Sequence, residues 1–584
     1  MTRAGEAALL PVPVVVLIVG AVLAPLAGRL SSRLPMVVAV AATGGATAVL
    51  AVDAPTVYSG HLLVHYLGHW TPVRGASLGI AFAADPFGLS YALAVTVIGM
   101  VLAVFTLSLL SGLGKGELGG YACLFLLLDA ALVGTALTAD LFNLFVWFEV
   151  AALASYALTG FFLERPVALE AAFKTLVLTT VASFCVFIGT ALLYAAHGAL
   201  NFGQLHDALR PGLSTVDLVA LGLLIAGYAT KAGLIPFHGW LPDAHTAAPG
   251  PVSALFSALM VNLGLVAIGR IVYGVYGPRH GVLGLLTVLG LVSALGGALL
   301  ALVQDDFKRV LAYDTVSQLG VLLVGLATGS RLGLAGTTYH LLNHALFKAL
   351  LFLCAGSVLH STGVERLSEM GGLARRMPVV TGAFVVGVLS IAGIPPFNGY
   401  SSLGMIHHAL EDGHAYPVLA VLLVAQVVTV AALGRAAWLA FFQRRESDYE
   451  VSEPLKPGMA VGFGALATLC VAFGVLPGLL LPHVLTPAAG WLRDGPAYAH
   501  AVLAGGGTLR SHTLDFVYLD PILLATVLVT AAAGLALAYR VVRGGRAARL
   551  LRPLSAVQTG SVNDYAAYLV VGLLVVCAAL LLTG

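Results

Sequence analysis

Apolar runs of membrane length recur along almost the whole chain, and they restrict its fold more than any other feature. A helix needs about 20 apolar residues to cross the hydrocarbon of a bilayer, where backbone N–H and C=O groups must be satisfied within the segment. Sixteen runs qualify, at 8–28, 35–52, 86–112, 120–138, 140–163, 167–196, 217–238, 251–276, 281–303, 309–328, 333–360, 379–410, 416–443, 457–482, 520–540 and 564–583. With 584 residues, 59% hydrophobic and 10% charged, the chain has more apolar surface than a soluble protein can hide. The expected fold is an all-α polytopic membrane protein of about sixteen transmembrane helices. The first run, Leu9–Ala27, lacks a basic n-region and a clear cleavage site, so it reads as a retained span.

The loops support this reading. One alternate set carries Arg29, Arg33, Lys115, Arg165, Lys308, Arg309, Arg366, Arg375, Arg376, Arg444, Arg445, Lys456 and the basic run from Arg540 to Arg552. The other set is sparse in lysine and arginine. By the positive-inside rule the first set is cytoplasmic. A multi-pass protein of the cell membrane, with both termini outside, follows as the expectation. Two outer loops are long, Val52–Asp85 and His483–Leu519. In the long inner segment Arg540–Asp564, the stretch Val541–Leu554 reads as a basic linker, or as an amphipathic surface helix. The net charge of +2 and the absence of a basic patch point away from nucleic acid. Cys123, Cys185, Cys354, Cys470 and Cys577 are scattered singly, so no metal or other cofactor site is expected from them.

The stretch Ala229–Ser257, ATKAGLIPFHGWLPDAHTAAPGPVSALFS, organises the middle of the chain. Lys231 ends an apolar run, and Pro236 follows it closely. A lysine at membrane depth is costly and marks an ion pathway by default. Proline removes a helical donor and breaks the helix, which is tolerated only inside protein or beside water. A second break, GIPPFNGY at Gly393–Tyr400, falls five spans later. Because five is odd, the two broken helices run in opposite directions. Paired broken helices in two halves indicate an inverted repeat. The expected organisation is two inverted five-helix repeats, each with a broken helix: 120–276 and 277–443, flanked by helices in 1–119 and 444–584.

Ionisable residues inside the spans give the candidate path. Glu149 sits within span five, and Lys231 is its expected partner; a neutral, hydrogen-bonded acid is the alternative. His340, His344 and Lys348 recur at spacings of four in span eleven, along one helical face. Three such groups a turn apart suit proton transfer, since histidine titrates near neutrality. Metal binding by the two histidines lacks a nearby acidic or cysteine ligand. Lys174 lines the path or snorkels to the interface. His238, Asp243 and His245 form a proton entrance, or only tie down an inner loop. Asp140 and Asp306 read as helix caps.

Four stretches, LFNLFVWFEVAALASY (141–156), HGWLPDAH (238–245), DDFKRVLAYDTVSQLG (305–320) and NHALFKALLFL (343–353), resemble the antiporter-like subunits of respiratory complex I. The same family includes the large subunits of Mrp-type cation/proton antiporters and of membrane-bound hydrogenases. The likeness covers roughly 80–480, and the tail at 554–572 is similar to the end of the longer members, which clasp neighbouring subunits. It implies inverted five-helix repeats, partner membrane subunits, and roles in ion translocation for Glu149, Lys231, His344 and Lys348. Two departures stand out. Asn262 and Leu403 occupy positions where many members carry titratable residues. His407, one turn beyond Leu403 on the same face, is either a substitute or a water-facing residue at the outer interface beside Glu411.

The expected function is a proton-translocating subunit of a redox-driven membrane complex. Protons pass from Lys231 through Lys348, His344 and His340 toward His407, with Glu149 setting the affinity of Lys231. A sodium/proton antiporter subunit and a non-pumping scaffold are the rival readings.

Overall fold

The computed structural model describes residues 7–110, 114–444, 451, 455–510, 513–544, 553 and 558–583. Most of Val541–Leu554, read above as linker or surface helix, lies outside the described residues.

Among the described residues fifteen helices are long and apolar enough to cross a membrane, and a shorter apolar helix, Pro378–Ile391, followed by Gly399–Asp412, makes the sixteenth pass. We number them as spans in chain order. Spans one to three are Val12–Leu30, Leu34–Tyr58 and Pro86–Leu109. Spans four to eight are Lys115–Leu137, Leu141–Thr159, Pro166–His197, Thr215–Ala232 continued by Trp240–Ala247, and Gly250–Val275. Spans nine to thirteen are His280–Val303, Phe307–Ala327, Arg331–Thr362, Pro378–Ile391 continued by Gly399–Asp412, and Tyr416–Phe442. Spans fourteen to sixteen are Pro457–Val475, Pro521–Val542 and Val562–Thr583. The protein is therefore a multi-pass membrane protein with two inverted five-helix repeats.

The two repeats share their local chemistry. Spans five and ten begin on aspartate caps, Asp140 accepting from Asn143 N at 2.8 Å and Asp306 from Arg309 N at 2.8 Å. Such a cap satisfies one of the free N–H groups of the first turn. Spans six and eleven are both 32 residues long. Each stops at a glycine with positive φ, Gly198 at 63° and Gly363 at 69°, a conformation that disfavours a Cβ. The chain then bridges back beside the cap, Asp140 to Asn201 and Asp306 to Arg366. The breaks correspond in the same way. Gly233 and Gly393 end the first half-helices with φ of 69° and 70°, and Phe237 N and Phe397 N donate to Leu234 O and Ile394 O.

Spans eight, ten and eleven are enclosed by protein along their apolar lengths, whereas the flanking spans expose much of theirs. Asp314 and Gln318 lie on span ten, and His340, His344 and Lys348 on span eleven.

Two features escaped the sequence. The long loops after spans two and fourteen pair into a small antiparallel sheet, β1 (His61–Tyr66) between β2 (Ala81–Ala84) and β3 (Gly506–Thr508). Tyr66 Oη donates to Val502 O at 2.7 Å and Trp491 Nε1 to Gly60 O at 3.1 Å, which fastens the two loops together. Beneath this sheet, Arg270 of span eight pairs with Asp85, the cap of span three. Both are buried, with the rings of Phe87 and Tyr498 against the guanidinium.

Removing one member of a buried ion pair strands the other charge, at a cost of about 3–5 kcal/mol. Arg270→Leu should lower the thermal midpoint of the purified protein sharply. Arg270→Leu with Asp85→Leu should recover part of that loss. A single variant as stable as the parent contradicts this role.

Candidate functional site

The fully buried Lys231 lies in the last turn of the first half of span seven. Its Nζ is 3.5 Å from Ser155 Oγ and 5.5 Å from the centroid of the Phe148 ring, both on span five. Glu149 is half-buried on the same span. No ion pair joins it to Lys231 among the described residues, and Glu149 Oε1 has no hydrogen-bond partner. The direct pairing expected from the sequence is thus open here: Ser155 and Phe148 occupy the neighbourhood of the ammonium group.

On the basic side, a cavity of about 820 Å³ opens between spans six, seven, ten and eleven. Lys174, Asp243, Lys308 and Arg309 are among its walls. Lys174 meets Asp243 at 3.0 Å and Glu170 at 2.6 Å, and Arg309 also pairs with Asp243. Lys174 is therefore buried and paired rather than snorkelling. His238 and His245 do not line this cavity. His238 sits against the ring of Tyr313 at 6.1 Å. His245, fully buried, stacks on Phe352 of span eleven at 4.7 Å with neither ring nitrogen partnered. The three residues grouped by sequence thus divide: Asp243 lines the charged vestibule with Lys174, while His238 and His245 lie in the protein interior.

Span eleven holds His340, His344 and Lys348, all fully buried. Lys348 Nζ pairs with Asp314 of span ten and donates to Leu311 O at 3.1 Å. His344 lies one turn away with both ring nitrogens free of partners. His340 bridges the two repeat elements beyond it, Nδ1 to Ser402 Oγ at 2.9 Å and Nε2 to Gln318 Oε1 at 3.1 Å. Asn343 Nδ2 donates to Asn398 O at 2.8 Å, joining span eleven to the break in span twelve. His340 spends both nitrogens on span ten and span twelve, so the two histidines do not form a ready metal pair.

Asp314 was missed by sequence reasoning. It stands in LAYDTVSQLG, a carboxylate inside an apolar helix, and the argument used for Glu149 applies to it equally. Ser155, Gln318 and Ser402 carry no sequence signal of their own, because only packing brings them to the ionisable groups.

At the far end, His407 is 6% exposed, so it does not face water at the interface. Its neighbour His408 is the one at the edge, 3.0 Å from Glu411. Leu403 packs with Val321, Val324, Ile406 and Leu410 in an apolar cluster. Asn262 is buried on span eight, its Nδ2 donating to Ala258 O at 2.8 Å and its Oδ1 unpartnered.

A family described as NADH:quinone oxidoreductase/Mrp antiporter, transmembrane, matches residues 138–430. The NADH-quinone oxidoreductase subunit N of Desulforudis audaxviator (strain MP104C) is 34% identical over 495 residues, covering 80% of this chain and 98% of that protein. The Na(+)/H(+) antiporter subunit A1 of Staphylococcus haemolyticus (strain JCSC1435) is 31% identical over 462 residues. That match covers 74% of this chain but only 56% of subunit A1, so the chain spans little more than half of that relative. Among solved structures, a chain of the Mrp complex from Dietzia sp. DQ12-45-1b superposes with a TM-score of 0.77 at 29% identity, covering 86% of this chain and all of that one. A chain of the membrane-bound sulfane sulfur reductase, an archaeal respiratory membrane complex, gives 0.76 at 30% identity, with 85% and 99% covered.

Lys348→Arg should keep the pair with Asp314 and normal assembly yet leave proton flux low in vesicles, because arginine does not release its proton at accessible pH. Full flux in that variant means the position serves only as a fixed charge. A second comparison separates the adjacent histidines. His407→Leu should reduce flux, while His408→Leu leaves it near the parent value; equal, normal flux in both removes His407 from the path.

Proposed function

We propose, since this chain belongs to the NADH:quinone oxidoreductase/Mrp antiporter transmembrane family, that it moves protons through the line of ionisable residues at its centre. It is an antiporter-like subunit of the multisubunit membrane complexes that this family builds.

The observation that carries the proposal is the burial of Lys348 and Asp314 as a pair, with an unpartnered His344 one turn away. Replacing a buried ion pair by apolar residues is often neutral or stabilising, so stability alone is a poor reason to keep one. A lysine that shares its surroundings with a carboxylate and a free imidazole can pass a proton between them. We place uptake at the vestibule of Lys174, Asp243, Lys308 and Arg309. From there the proton reaches Lys231, then Lys348, His344 and His340, and leaves past His407. Glu149 acts on Lys231 electrostatically: closing the distance between them favours the charged amine, and opening it favours release. The unpaired arrangement of Lys231 beside Ser155 suits the releasing half of such a cycle.

The chain would sit in the cell membrane with lipid around it and both ends on the outer side. The energy comes from neighbouring membrane subunits, through a redox reaction in complexes like those of its respiratory relatives. Sodium is the second reading. It rests on the named activity of the Staphylococcus relative, of which this chain matches only part. Proton flux with and without sodium in the same vesicles separates the two.

Glu149→Gln removes a charge at nearly constant volume. The variant should assemble normally and lose most proton flux. Flux at the parent rate overturns the coupling role of Glu149.

A further inference from the structure

Span four carries a carboxylate that the central line does not use. Asp129 is fully buried, and neither of its oxygens has a hydrogen-bond partner. No cation pairs with it among the described residues. The facing helix, span three, makes room for it with a glycine: a Cβ at Gly99 would lie 2.5 Å from Asp129 Oδ2. The titratable groups that act on this neighbourhood are tyrosines, Tyr91 from span three and Tyr121 from span four itself. Tyr121 Oη is likewise buried without a partner. Tyr91 Oη donates to Leu259 O at 2.8 Å. Leu259 belongs to the π-helical turn Phe256–Met260 of span eight, just before Asn262 and its unpartnered oxygen. π-turns are frequent at functional sites.

An ionised carboxylate without a partner costs several kcal/mol in such surroundings. Something must therefore neutralise Asp129, and among the described residues no side chain does. A proton meets the need.

We propose that Asp129 is a second proton-binding carboxyl of this subunit, lying outside the line from Lys231 to His407. It goes beyond the path proposed above and does not depend on the roles of Glu149 or Lys348. The occupied form is the carboxylic acid.

The test uses the assembled complex in native membrane vesicles. Asp129→Asn keeps the shape of the acid but cannot give up a proton. Asp129→Glu keeps the exchangeable proton. The expected result is normal assembly of both, loss of much of the proton flux and a flattened pH profile in Asp129→Asn, and recovery in Asp129→Glu. Parent flux and pH profile in Asp129→Asn overturn the proposal, as does equal impairment of the two variants. If Asp129→Asn does not assemble, the parent protein decides. Dicyclohexylcarbodiimide takes the proton of a membrane-embedded carboxylic acid on one nitrogen while the carboxyl oxygen bonds to its central carbon. The adduct rearranges to an N-acylurea with no leaving group. An adduct on the peptide containing Asp129 supports the site. An unmodified Asp129 in a chain labelled at other carboxyls overturns it. Neither measurement changes if the role of Glu149 fails.

Discussion

The cost of placing charge in a low-dielectric interior governs this structure. A buried ion without a partner loses several kcal/mol of hydration that the protein must return through a pair, a hydrogen bond or water. Lys348 receives Asp314 and the carbonyl of Leu311. Arg270 receives Asp85 between two aromatic rings. Asp243 is shared by Lys174 and Arg309 at the mouth of the vestibule. Where the partner is missing, as at Lys231 with only Ser155 and Phe148 beside it, the site is poised to change its charge or its contacts. The Arg270–Asp85 pair clamps helices together, whereas Lys348 differs from it in having the unpartnered His344 one turn away.

The inverted repeat positions these groups. Aspartate caps start spans five and ten, positive-φ glycines end spans six and eleven, and glycine–proline breaks interrupt spans seven and twelve. Each break exposes backbone that would be intolerable against lipid, so each must be enclosed or wetted. Asn343 answers the break in span twelve by donating to Asn398 O. Trp240 Nε1 does the same for the first break, donating to Thr230 O at 2.7 Å. The same backbone device appears twice, but its side chains have diverged: Lys231 precedes the first break, and Leu403 follows the second within an apolar cluster. The two halves therefore offer unequal chemistry on one scaffold.

Much of this was legible in the sequence because membrane helices announce themselves locally. Length, apolarity and loop charge placed the sixteen passes, and glycine with proline placed both breaks. Contacts between distant segments were not legible. The Lys348–Asp314 pair joins spans ten and eleven, and the Arg270–Asp85 pair joins span eight to the cap of span three; neither spacing follows from any helical period. The strand Gly506–Thr508 is two glycines and one β-branched residue, too short a signal to read, and pairing with His61–Tyr66 makes it a strand. His407 and His408 are adjacent in a run that approaches the membrane edge, and packing alone sends one inward and the other toward Glu411.

The central claim is that protons cross through the buried ionisable line while partner subunits supply the energy. Lys231→Met removes the titratable amine at similar length and leaves an apolar thioether in an apolar site. The decisive measurement is the number of protons taken up per turnover by vesicles holding the assembled complex in sodium-free buffer, with the partner-driven reaction followed in parallel. This account predicts that turnover continues in Lys231→Met while protons moved per turnover fall well below the parent value. An unchanged ratio contradicts it.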